Sequence, residues 1–233
     1  MKGFKFFTLF GAIALLVAVG SFRVQSTDAP EISFDGLHLV PDSKVAIAYV
    51  NPEADFSVYD EFLMLDAYVA FKKNWQRDTR VAGRRVSNKE MERIKKEAGE
   101  LLHETFRNEL EDKGGYKFVE AAGDDVLIIR PALIDLVITA PDIPVAGRVT
   151  QYVASAGAAT LYLEMYDSVS GEILARLVDR RAMQDYGHAR WANSVTNRTD
   201  ARRMFRRWGE LLRTGMDEIR AKAHLAPMVP AKG

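Results

Sequence analysis

The chain has 233 residues, with 32 lysines and arginines balanced by 32 aspartates and glutamates, and no cysteine. The missing cysteine excludes disulfides, thiolate metal sites and cysteine nucleophiles, and the zero formal charge argues against a nucleic-acid partner, which calls for a strongly basic domain. The chain is nonetheless long enough to bury one good-sized core without covalent staples.

Lys2 and Lys5 precede an uncharged run from Phe6 to Val19, and small residues stand at Ala18 and Gly20. A positive start, an apolar stretch and small residues at a cleavage spacing are the parts of a secretory signal. The expectation is therefore export, with residues 1–20 as a signal peptide cleaved after Gly20. An uncleaved anchor is the alternative, because the apolar stretch runs through Phe22 and approaches the ~20 residues of a spanning helix. Either form sets the rest of the chain in the periplasm, or on the membrane facing it. Residues 21–34 are polar and mixed, and read as a linker.

Strand patterns follow at Gly36 to Val40 and Lys44 to Val50, and a longer one from Glu61 to Phe71 is apolar on both faces, as expected inside a sheet. Residues 72–86 are basic and read as a loop. Ser87 and Glu90 form a capping box, and Met91, Ile94, Ala98, Leu101, Leu102, Phe106 and Leu110 then recur at spacings of three and four, which predicts an amphipathic helix ending at Gly114-Gly115. A short strand at Tyr116 to Glu120 is expected next. Val126 to Ile138 is an apolar strand interrupted by Arg130-Pro131, where a bulge or an edge is expected because proline cannot donate to the ladder.

Residues 141–158 lack any period and read as a mobile loop. Leu161, Leu163 and Met165 alternate with polar neighbours up to a turn at Asp167 to Gly171, and Ile173 to Arg181 follows, a hairpin with one face toward the core. From Asn197 to Ala223 a second amphipathic helix carries Ala201, Met204, Phe205, Trp208, Leu211, Leu212, Met216 and Ile219 on one stripe. Residues 35–224 thus read as a single α+β domain, an antiparallel or mixed sheet with two amphipathic helices packed on one face, followed by a flexible tail at 225–233.

No motif with catalytic or metal-binding spacing is present, so no catalytic residue, metal ligand or cofactor is expected. His38, His103, His188 and His224 are scattered; Ser155 lacks a nucleophile turn, and Asp124-Asp125 reads as a solvated turn. The richest polar stretch is a loop expected between the hairpin and the last helix, where Arg180, Arg181, Tyr186, His188, Arg190 and Trp191 are the candidate partner-binding residues. Aromatic residues there also fit a simpler role, closing the core between helix and sheet. The last helix adds a basic face of Arg202, Arg203, Arg206, Arg207 and Arg213, suited to anionic lipid or an acidic partner, or to plain solvation.

Three stretches carry a family resemblance: Tyr49-Val50-Asn51-Pro52 with the strand from Tyr59 to Ala70, Asp125 to Leu136, and Leu163 through Asp167-Ser168-Val169-Ser170-Gly171-Glu172 to Arg181. They resemble the domain-of-unknown-function family 3313, lipoprotein-like proteins of bacterial envelopes. The resemblance implies an envelope location and supplies no reaction and no catalytic residues. Ser21 stands where a lipid-accepting cysteine would be, so lipid anchoring is not expected. The function expected is non-enzymatic binding of an envelope protein, a glycan or a lipid surface, and a periplasmic hydrolase is the alternative.

Overall fold

A computed structural model describes residues 29–81, 83–139, 141, 151–155, 157–183, 185–192 and 194–225, with side chains at all of these except 151–155, 185–192, 194–196 and 222–225. The expected signal, residues 1–20, and residues 226–233 of the expected tail lie outside the described residues. The chain forms β1 (His38–Leu39), β2 (Ile47–Val50), β3 (Glu61–Met64), β4 (Tyr68–Phe71), a one-turn α1 (Trp75–Asp78), and the short strands β5 (Arg80–Val81) and β6 (Arg84–Arg85). It continues with α2 (Asn88–Arg107), β7 (Lys117–Phe118), β8 (Val126–Ile138), β9 (Gln151–Ser155), β10 (Gly157–Asp167), β11 (Ile173–Ala182), β12 (Asp185–Ala192) and α3 (Ser194–Leu225).

The main sheet runs β1-β2-β11-β10-β8-β3-β7, with β4 also pairing with β8. β3 and β4 lie parallel to β8 and the strands from β8 to β1 are antiparallel, so the sheet is mixed, as expected. Side chains alternate across the central strands. Leu127, Ile129 and Leu133 of β8 and Leu161, Leu163 and Met165 of β10 point to one face and join the core. Leu101, Leu102 and Phe106 of α2 and Met204, Phe205, Trp208, Leu212 and Met216 of α3 cover that face. Both helical stripes are those the spacing predicts, and the Ser87–Glu90 capping box is formed in full.

On the opposite face, Arg176 is clasped by two carboxylates. Its guanidinium donates to both oxygens of Asp35, at 3.0 and 2.5 Å, and to Glu164 Oε1 at 3.1 Å. Tyr162 and Tyr166 donate to the two Glu164 oxygens at 2.8 and 2.7 Å. Tyr49 holds the Pro30 carbonyl at 2.8 Å, so residues 30–35 lie strapped across the sheet.

Three expectations are corrected, and a fourth, the bulge or edge at Arg130-Pro131, resolves to the second of its alternatives. The strand expected from Glu61 to Phe71 is two strands, β3 and β4, which pair with successive parts of β8. The expected loop at 72–86 contains α1, whose Trp75 is buried and stacks on Phe71 at 4.1 Å, and the β5–β6 pair. Pro131 produces no bulge: its register opposite Leu163 is regular, and the irregularity lies farther on, around Asp135 at φ +50°. The Ile129 carbonyl accepts from Leu65, and by strand alternation Pro131 turns its backbone to the same side, where the chain passes between β3 and β4 and no ladder bond is lost. Finally, the region expected to be loop at 141–158 holds β9 and the start of β10; residues 142–150 lie outside the described residues.

Candidate functional site

The expected binding loop from Arg180 to Trp191 is strand. Arg180 and Arg181 close β11, and Tyr186, His188, Arg190 and Trp191 belong to β12, which pairs with β9 in the register Arg190↔Val153 and Trp191↔Tyr152. The side chains of those four residues lie outside the described residues. The stretch escapes recognition as strand because its long polar side chains hide the period that burial on one face would impose.

The site begins where β2 stops. β2 pairs with β11 only from Ala175 to Val178, and its line ends as the Ala46 amide donates to Asp179 Oδ1 at 3.1 Å. Beyond that point, among the described residues, no strand pairs with the outer edge of Asp179 to Ala182. Asp179 is buried at this corner. Its Oδ2 accepts from the Trp208 indole N–H at 2.8 Å, which ties β11 to α3. Arg181 Nε approaches the same oxygen at 2.7 Å, off the hydrogen-bonding direction, so that buried nitrogen has the ion pair but no hydrogen bond. Arg180 turns to the other side of the strand, where its guanidinium reaches Thr160 Oγ1 at 3.4 Å.

Along the open edge of β11, α3 presents Arg203, Arg206 and Arg207. Together with Arg180 and Arg181 they line a polar groove of about 700 Å³ whose other lining residues include Asp200 and Glu210. The arginines of the lining outnumber its carboxylates, Asp200 and Glu210, and leave the groove cationic, although the Arg180 guanidinium itself lies across the strand. The fold thus unites Arg180 and Arg181 with part of the basic face of α3, two features that stand far apart in the sequence. It does not unite all of that face: Arg202 pairs with Glu104 of α2 at 3.0 Å and Arg213 with Asp217 at 3.0 Å.

Asp179 is the residue that sequence reading missed. The signal was present: on β11 the alternation Ala175, Leu177, Asp179 sets a carboxylate in line with core positions, and a carboxylate there needs buried donors. The other polar centre, around Arg176, is saturated internally. The Arg176 guanidinium beside Asp35 lowers that carboxyl to about 2. Burial pushes Glu164 upward, but hydrogen bonds from Tyr166, Tyr162 and Arg176 outweigh it and hold Glu164 below its ordinary value. Burial and the Glu164 partnership push Tyr162 up to about 12. Arg130, 3.6 Å from Glu164, supplies a second cation for the two carboxylates, so this centre fastens the strap with its charges matched inside the protein.

Of the other sequence candidates, His103 lies 6.4 Å from the Phe118 ring, and Asp124 and Asp125 are exposed in the turn before β8. Among the described residues no three His, Asp or Glu side chains converge as a metal site would require. No described helix is long and apolar enough to cross a membrane.

The family model described as "Protein of unknown function (DUF3313)" matches residues 33–212. The chain belongs to this family. No functionally curated protein matches the DUF3313 chain. Among solved structures, it is similar to the PelC dodecamer from Paraburkholderia phytofirmans, with 11% identity over 70% of this chain and 96% of that one and a TM-score of 0.38. It is also similar to protein XCC0632 from Xanthomonas campestris, described as DUF330, at 12% identity over 72% and 93% of the two chains, with a TM-score of 0.35.

Proposed function

We propose that this DUF3313 protein is an exported, non-enzymatic binding module of the bacterial envelope whose arginine groove receives an extended acidic segment of a partner protein. The observation that carries the reading is the meeting of Arg181 with Arg203, Arg206 and Arg207 beside a strand edge that, among the described residues, no strand pairs. Guanidinium forks recognise carboxylates with paired hydrogen bonds, and an open edge offers main-chain groups to an extended peptide. The arginines line a concavity between strand and helix, which suits an inserted segment better than a flat bilayer surface. The charged and apolar pattern of residues 1–20 supports the envelope location.

The test is photo-crosslinking in the native cell from a reactive residue placed at Glu210, on the groove wall. The expected product is a discrete adduct with an acid-rich envelope protein. It should be lost in an Arg206→Glu, Arg207→Glu variant whose melting temperature is unchanged, since both arginines are exposed. Adducts that survive the charge reversal, or adducts with lipid alone, would reject the reading.

A further inference from the structure

A second cavity, of about 480 Å³, lies between α3 and the sheet on the other side of Asp179 and Trp208, which line it. Its volume is that of an ordinary small-ligand site. Its wall is apolar: Val50, Phe56 and Leu177 from the sheet side, Leu211 and Ile219 from the helix. Gly215 also lines it, and a Cβ built there would meet no atom within 4 Å. The other packed helical glycines differ: a Cβ on Gly209 would meet the Glu109 side chain at 3.1 Å, and one on Gly99 would touch Ala67 and Val69 at 3.7 Å. Glycine is the poorest helix former after proline, so at position 215 its missing side chain keeps open a space that no neighbour uses.

The mouth is charged. Lys44, on the loop before β2, bridges to Glu218 of α3 at 2.5 Å. Both members of the pair are exposed, with relative side-chain accessibilities of 59% and 52%, so an entering ligand can replace the bridge at little cost. One cation paired with one carboxylate is the complement of a head carrying a phosphate and an ammonium. It is a poor match for a purely anionic head.

We infer that this cavity holds one acyl chain of a zwitterionic phospholipid, with its phosphate on Lys44 and its ammonium on Glu218. The inference stands apart from the arginine groove, which lies beyond the Asp179–Trp208 wall and serves a different partner.

Calorimetric titration of the full chain with lysophosphatidylethanolamine, below its micelle concentration, tests it. Saturable one-to-one binding is expected, tightening by about fourfold for each added methylene until the cavity is filled. Gly215→Leu and Gly215→Phe should each weaken binding by about tenfold or more while leaving the fold intact, because they fill space instead of removing contacts. Should the phenylalanine variant fail to fold, the leucine variant and an exposed Lys44→Glu exchange still decide the matter. Lysophosphatidylglycerol of the same chain length should bind less tightly. No saturable binding at any length would overturn the inference, the cavity then being closed or filled by the protein itself. Equal affinity in the Gly215 variants would overturn it as well, and tighter binding of the anionic head would overturn the assignment of the lipid class. Arg206→Glu should leave the titration unchanged, which separates this result from the fate of the groove.

Discussion

Asp35 and Asp179 both stand beside arginines, yet they do different work. Asp179 divides its oxygens between the Ala46 amide and the Trp208 indole, and so ties β11 to the start of β2 and to α3. Asp35 gives both of its oxygens to Arg176, and its carboxyl falls from 3.8 to about 2. A carboxylate with a lower pKa in the folded state adds stability that is complete above the unfolded value, near 3.9, and is lost as pH falls toward the folded one. The stability of the wild-type protein should therefore drop between about pH 4 and pH 2 more steeply than that of Asp35→Asn. At neutral pH the variant should be less stable by about 1–2 kcal/mol, after allowance for solvent screening of a partly exposed pair. Urea melts of the two proteins at pH 7, 4 and 2.5 check both statements. Parallel pH profiles would show that the Asp35–Arg176 pair contributes nothing to stability.

At the scale of elements, the chain was legible wherever burial imposed a period. α2, α3, β8 and the β10–β11 hairpin follow their apolar spacing because each lays one face, or both, against the core. The Asp167 turn was legible from its chemistry, since its carboxylate takes the Val169 and Ser170 amides and Gly171 supplies φ +70°. The division of Glu61 to Phe71 was hidden, since β3 and β4 are both apolar and what separates them is the passage beside Pro131, a distant part of the chain. The arginine groove was half legible: the cations were visible, but their meeting depends on where β2 stops. Helix caps, by contrast, are purely local. Ser87 Oγ accepts the Glu90 amide at 3.3 Å, Glu90 accepts the Ser87 amide at 2.8 Å, and the Arg84 fork holds Glu90 near a pKa of about 2. Ser87→Ala should cost about 1 kcal/mol, or about 2–4 °C in Tm for a domain of this size. An unchanged Tm would mean that tertiary packing alone sets where α2 begins.

For the whole molecule, the two proposed occupants, if both bind, put a constraint on where it works. An acidic partner segment and an acyl chain are found together at the surface of a membrane, and a mixed sheet held by its core alone needs no oxidising chemistry to persist there. The proposed envelope location turns this into a question of chain length. If Lys2 to Gly20 act as a cleaved signal, the protein released by osmotic shock should begin at Ser21, and carbonate washing should leave none of it on membranes. Intact-mass measurement of the two fractions decides between cleavage and retention, since a retained Phe6 to Val19 run would keep Met1-containing protein in the washed membranes. Recovery of the full-length chain from the cytoplasm would sink the location, and with it the partners proposed for the groove. It would leave the cavity beside Gly215 to be tested on its own, because lipid titration of the purified protein does not depend on where the protein resides.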